Sequence, residues 1–220
     1  MNFSQKSIVL FDLDGTLTDS GPGVMNSARY ALEKLGVRPT EEELHGFIGP
    51  PLHLSFQNTY GFSEEKAFEG VRLYREYYAE KGIYENELYS GVDRLLQKLK
   101  DSEKSLILAT SKAEFYAKKV MDHFRLTGYF DFVAGSEMDN SRSDKAEVIA
   151  YALEGEGITD KASALMIGDR SHDIIGAKKN GLDSVGVLYG YGDRPELEEA
   201  GADAIAATVE ELGLLLGLEA

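Results

Sequence analysis

Residues 10–23 read LFDLDGTLTDSGPG, and the aspartates at 12 and 14 decide how the rest of the chain is read. They end SIVLF (7–11), a short continuous apolar run of the kind that forms a parallel strand covered on both faces. Two carboxylates so placed repel each other. At about 4 Å the repulsion is about 4 kcal/mol for an effective dielectric of about 20. Some other part of the sequence must compensate them. Gly15 follows, a residue that lets the backbone turn tightly and come close to a ligand.

Four later stretches resemble that first run: SLILAT (105–110), FDFVAGS (130–136), ALMIGD (164–169) and DSVGVLYG (183–190). DAIAAT (203–208) is a weaker sixth. Helical patterns fill the gaps at 91–100, 113–124, 144–157, 172–181, 194–201 and 209–217. Strands alternating with helices imply an α/β, Rossmann-like core with a mainly parallel sheet flanked by helices. In such sheets ligands gather beyond the carboxyl ends of the strands.

Residues 20–88 break the alternation. Val24, Ala28, Ala31, Leu32 and Leu35 share one helical stripe, and Gly36 is a plausible stop. Thr40 with Glu43 reads as a capping box, and Ser63 as the cap of a helix running to about Lys81. No strand pattern is evident. The expected organisation is a core formed by 1–19 and 89–220, with an all-helical cap domain (20–88) inserted after the first strand.

Composition narrows the function. The chain has 220 residues, 43% hydrophobic and 28% charged, which suits a folded protein. A net charge of −15 argues against nucleic acid polymers and anionic membranes as partners. There is no cysteine, so thiolate chemistry and disulfides are excluded. No stretch approaches the roughly 20 apolar residues that span a bilayer. The N-terminal stretch lacks a signal-peptide pattern, and a cytoplasmic location is expected.

If the sheet forms as expected, four features meet at one edge. Asp12 and Asp14 follow the first strand, and Thr110 and Ser111 end the second. Lys145 opens the helix before the fourth strand, and Asp169 and Asp173 follow that strand in GDRSHD. So many carboxylates require a cation, and Mg2+ suits carboxylates, waters and a substrate phosphate. One aspartate can then attack phosphorus, and a second can protonate the leaving oxygen and later deprotonate water. Amides around Gly15, helped by Thr110, can bind phosphate oxygens, and Lys145 can neutralise the transferring group.

These motifs, as a set spanning residues 8–181, resemble the haloacid dehalogenase (HAD) superfamily on its phosphatase side. FDLDGTLTDS is similar to the first motif, LILATSK to the second, SDKAEVI to the third and MIGDRSHDIIGAKKNG to the fourth. The resemblance implies Asp12 as nucleophile and metal ligand. It implies Asp14 as general acid/base, lending its backbone carbonyl to the metal. Thr110 and Lys145 would hold the phosphate. Asp169 would bind the metal directly, and Asp173 directly or through water. FIGPPL (47–52) and GDRSHDIIGAKKNG look closest to the phosphoglycolate phosphatase-like branch and, more narrowly, to its bacterial 5′-nucleotidase-like members.

The implied activity is Mg2+-dependent hydrolysis of a small phosphorylated metabolite through an aspartyl-phosphate, by a monomer or homodimer. A dehalogenase would not need Asp14, because a halide leaves without a proton. A sugar phosphomutase of the same superfamily and a catalytically silent binding protein are the alternatives. Gly49, in a rigid loop with Pro50 and Pro51, either faces the substrate or makes a plain interhelical turn. Lys112 either reaches the substrate or lies at the surface. Tyr74, Tyr77 and Tyr78, near Arg72 and Arg75, read as core packing with a charged outer face, or as a substrate-facing patch. His45, His53, His123 and His172 lack zinc-site spacing, with His172 nearest the metal loop.

Overall fold

A computed structural model describes residues 2–50, 52–139 and 141–219 and divides the chain into two compact units, 1–19 with 88–220 and 20–87. Pro51 of the FIGPPL stretch lies outside the described residues. In chain order the first half contains β1 (Ile8–Phe11), β2 (Thr18–Asp19), α1 (Gly21–Lys34), α2 (Glu41–His45), α3 (Leu52–Tyr60), α4 (Glu64–Glu80) and β3 (Glu87–Leu88). There follow α5 (Val92–Asp101), β4 (Ser105–Ala113), α6 (Glu114–His123), β5 (Phe132–Ser136), α7 (Lys145–Gly155) and β6 (Ala164–Gly168). The chain ends with α8 (Ser171–Asn180), β7 (Asp183–Val187), α9 (Arg194–Ala200), β8 (Ala204–Ala206) and α10 (Val209–Leu215).

The larger unit is built on a six-stranded sheet in the order β5-β4-β1-β6-β7-β8, with every neighbouring pair parallel. Parallel strands buried on both faces need continuous apolar runs, and β1 and β6 supply them. Leu10, Ile107, Ala134 and Met166 pack with Val148, Ile149 and Ala152 of α7 and Ala177 of α8. Register then sets the functional edge. Phe11 lies opposite Leu108 on one side and Ile167 on the other. Asp12, Thr110 and Asp169 therefore emerge at the same carboxyl end of three adjacent strands.

Strand limits differ from the sequence pattern at two useful places. β4 continues past Thr110 and Ser111 to Ala113, because pairing with β5 slips after Ala109 and resumes at Ala113 opposite Ser136. β7 stops at Val187, so residues 188–190 of the expected strand belong to a loop.

The smaller unit contains α1–α4 and a 3-10 turn at Gly82–Tyr84. Val24, Ala28, Ala31 and Leu32 of α1 are buried, and α1 packs along α4. The Glu43 amide donates to Thr40 Oγ1 (3.3 Å) and the Thr40 amide to Glu43 Oε2 (2.8 Å), which closes the capping box. The Lys66 amide donates to Ser63 Oγ and starts α4. Tyr74 and Tyr78 are buried and stacked, ring centroids 5.5 Å apart, so both are packing residues of this unit. One expectation fails here. The stretch 20–88 is not free of strand, since Glu87–Leu88 pairs with Thr18–Asp19 as a separate two-stranded sheet. Two-residue strands are too short to show a period. Among the described residues no helix is long and apolar enough to cross a membrane.

Candidate active site

Three buried carboxylates, those of Asp12, Asp169 and Asp173, each offer an oxygen within 4.8 Å of the others. Each is delivered by a different local device. Asp12 continues β1, and its amide donates to the Ile167 carbonyl (3.0 Å), which extends the β1–β6 ladder by one step. Asp169 directly follows β6. Asp173 occupies the first turn of α8, where its Oδ2 accepts from the Arg170 amide (3.1 Å). A carboxylate in that position also complements the helix dipole. Asp173 is thus both a helix-start residue and a member of the cluster.

A buried lysine pairs with two of these three carboxylates. Lys145, the first residue of α7, is 5% exposed. Its Nζ lies 2.9 Å from Asp12 Oδ1 and 2.8 Å from Asp173 Oδ1, and donates to the Ala109 carbonyl at 3.0 Å. Burial disfavours its charge, but Asp12 and Asp173 outweigh that and raise its pKa. The aspartate pKa values rise too, which for a carboxylate disfavours the charged form. Burial, then the Asp173 and Asp14 charges acting against Lys145, push Asp12 up to about 6. Burial together with Asp173 and Asp12 pushes Asp169 up to about 8. Three carboxylates against one ammonium leave a deficit of positive charge in a buried, all-oxygen donor set. That set fits a hard divalent cation.

The turn after β1 arranges the second aspartate. The amides of Leu17 and Thr18 donate to the Leu13 carbonyl, and the Gly15 amide donates to the Thr18 carbonyl (2.8 Å). Gly15 has φ +84°, and a Cβ there would overlap the Asp169 carboxylate. Only glycine satisfies both demands. Asp14 Oδ2 lies 2.6 Å from Lys112 Nζ, while its Oδ1 is buried without a hydrogen-bond partner. Lys112 is no surface lysine, since its side chain is only 10% exposed. Its amide donates to Thr110 Oγ1 (3.2 Å), so one residue joins Thr110 to Asp14.

Asp169 is held on both oxygens. Thr16 Oγ1 donates to Oδ1 (3.2 Å) and the Tyr191 amide to Oδ2 (2.8 Å). The loop 190–192, Gly-Tyr-Gly, packs so closely that a Cβ at Gly190 would overlap the Gly15 carbonyl and Asp169, and one at Gly192 the Asp169 carbonyl. Glu196 of α9 accepts from the Ser171 amide (2.8 Å) and Arg170 Nε (2.9 Å), pinning the segment between Asp169 and Asp173. Thr16, Tyr191 and Glu196 were not legible as site residues. The glycines flanking Tyr191 are the one available signal, because they mark a close backbone approach.

Of the residues singled out from sequence, Asp12, Asp169 and Asp173 cluster directly, and Lys145 pairs with Asp12 and Asp173. Asp14 and Gly15 adjoin them through the same turn. Thr110 is buried in β4 near Lys112, whereas Ser111 is exposed, with its carbonyl accepting from Ser136 Oγ (2.9 Å). Gly49 belongs to the smaller unit, exposed and with φ 103°. His172 is exposed, and no histidine enters the carboxylate cluster.

A parallel sheet whose central strands release aspartates onto one buried lysine defines a class, and comparison with known proteins gives its name. Residues 9–187 match the model of the haloacid dehalogenase-like hydrolases, and the chain belongs to that family. Within the family it is a phosphatase-type hydrolase. It is 44% identical over 190 residues to a 5′-nucleotidase of Pseudomonas aeruginosa, covering 86% of each chain. It is 38% identical to the tyrosine-protein kinase PtkA of Mycobacterium tuberculosis, over 96% of this chain and 72% of that one. A structure from Clostridium acetobutylicum, described as a predicted phosphatase, superposes with a TM-score of 0.88 at 46% identity, covering 94% of this chain and 96% of that chain.

Proposed function

We propose that the chain is a Mg2+-dependent phosphomonoesterase acting on a small phosphorylated metabolite, with Asp12 as nucleophile. The observation that carries this reading is the buried cluster of Asp12, Asp169 and Asp173 around a single lysine, with Asp14 two residues beyond Asp12. Asp12, Asp169, Asp173 and the Asp14 backbone carbonyl would hold Mg2+. The ion supplies charge compensation that lets an anionic phosphate approach an anionic nucleophile.

The chain's own groups perform the rest. An Asp12 carboxylate oxygen attacks phosphorus, and the bond from phosphorus to the leaving oxygen breaks. Asp14 gives that oxygen its proton. Water then attacks the aspartyl-phosphate, Asp14 takes the water's proton, and Asp12 is regenerated with release of inorganic phosphate. Lys145 fixes Asp12 and lies within reach of the transferring oxygens, where its charge counts in a dry site. Thr110 and the amides around Gly15 receive the phosphate, with Ser111 beside them. Gly49 would contribute to substrate selection. Nucleoside 5′-monophosphates are the first substrate class to try, since a relative 44% identical is named a 5′-nucleotidase. Phosphoglycolate is the second, on the resemblance of FIGPPL.

The test is phosphate release from a panel of nucleoside 5′-monophosphates, phosphoglycolate, pyrophosphate and hexose phosphates, with Mg2+ and with chelator. Mg2+-dependent release from one favoured class supports the reading. An isomeric sugar phosphate with no free phosphate would instead identify a mutase. Ligand binding without turnover would identify a silent binder.

A further inference from the structure

We propose that Tyr191 is a positioning residue for Asp169, acting through a tether from its hydroxyl to Asp19. The inference rests on the reading of Asp169 as a metal ligand. Tyr191 makes two bonds that join loop to turn. Its amide donates to Asp169 Oδ2 (2.8 Å), and its hydroxyl donates to Asp19 Oδ1 (2.7 Å). Tyr89 lies beside the Tyr191 side chain. Tyr89 in turn meets the Tyr189 ring edge-on, centroids 5.1 Å apart.

The tether closes a ring. Asp19 follows Thr18, whose carbonyl accepts from the Gly15 amide. That same turn carries Thr16, the hydroxyl donor to the other oxygen of Asp169. Asp169 is therefore clamped between the turn 13–19 and the loop 189–192, and the Tyr191 phenol ties turn to loop. The flanking glycines explain why a tether is needed. Gly190 and Gly192 admit the close packing on Asp169, yet glycine leaves the backbone free to move the Tyr191 amide away. The phenol removes that freedom. Groups that orient a metal ligand from behind commonly change metal affinity by about 10–100-fold when removed.

The test is calorimetric titration of Mg2+ into the metal-free protein and its variants, with melting temperatures measured alongside. Tyr191→Phe keeps the ring and the amide and removes the hydroxyl that makes the tether, and Asp19→Ala removes the tether's other end while leaving that hydroxyl in place. Each is expected to weaken Mg2+ binding about tenfold, and the double variant no further than either alone. Asp19→Asn keeps an acceptor and is expected to bind as the wild type does. Wild-type affinity in Tyr191→Phe, with or without a lower melting temperature, overturns the proposal, as do additive losses in the double variant. Should Asp19→Ala fail to fold, Tyr191→Phe and Asp19→Asn still decide. Asp169→Asn separates the two readings. Tight wild-type binding that Asp169→Asn abolishes keeps the metal site whatever Tyr191→Phe shows, whereas a wild-type protein that takes up no Mg2+ overturns both.

Discussion

The sheet buries lysines at both of its ends, and they do opposite things. At the amino edge Lys104 is 8% exposed and donates to the carbonyls of Ser4 (2.8 Å) and Lys6 (2.6 Å). Lys6 reaches the Ala162 carbonyl (2.6 Å) and Asp183 (2.5 Å). These lysines satisfy strand-start carbonyls and outnumber the carboxylate they meet. Burial lowers the pKa of Lys104. At the carboxyl edge Lys145 is also buried, but it meets a surplus of carboxylates and its pKa rises. A buried charge at one end closes the structure. At the other end it leaves negative charge over. That imbalance is what distinguishes the candidate active-site edge from the structural one.

The comparison can be broken in several ways, the largest first. Asp12→Asn should reduce phosphate release by about 10⁴-fold or more, while circular dichroism shows a folded protein. Retained turnover would remove Asp12 from the chemistry. Next, Lys145→Met should destabilise the metal-free chain by about 3–5 kcal/mol in urea unfolding, because it strands buried carboxylates. Adding Asp173→Asn should recover part of the loss.

A pH effect comes third. Asp12 and Asp169 have folded pKa values raised to about 6 and about 8, above the ordinary carboxylate value of 3.8. The folded state then binds more protons than the unfolded state in this window, so stability falls as pH rises. The metal-free protein should lose about 2 kcal/mol between about pH 6 and pH 8, and urea midpoints in chelator measure it. A flat profile would mean that the carboxylates are compensated without a cation. The smallest effect belongs to the other edge. Lys104→Met should cost about 1–2 kcal/mol by unpairing two carbonyls, with kcat and KM unchanged.

Much of this was legible in sequence, for physical reasons that differ by element. The six core strands are continuous apolar runs because helices cover both faces of the sheet. Their places along the chain and the aspartates that follow the first and fourth of them were therefore readable together. Lys145 was readable by its place at a helix start, within a spaced set of motifs. The helix Leu52–Tyr60 has no such signature, since only Ser55 and Phe56 of it are buried. Neither do β2 and β3, at two residues each. Tyr191 escaped for another reason. Its contact with Asp169 is made by a backbone amide, which every residue but proline carries, and only its glycine neighbours hint at it. Lys112 was read either as reaching the substrate or as lying at the surface, and its partner Asp14, 98 residues earlier, follows from strand register and not from any local pattern.

The most direct measurement is the urea unfolding midpoint at pH 8, in chelator and then in millimolar Mg2+, for the wild type and Asp169→Asn. The expected result is a higher wild-type midpoint with Mg2+, about 2–3 kcal/mol when the ion is near a hundredfold over its Kd. The gain should vanish in Asp169→Asn. An identical wild-type midpoint with and without Mg2+ would contradict the assignment of the carboxylate cluster to a divalent cation.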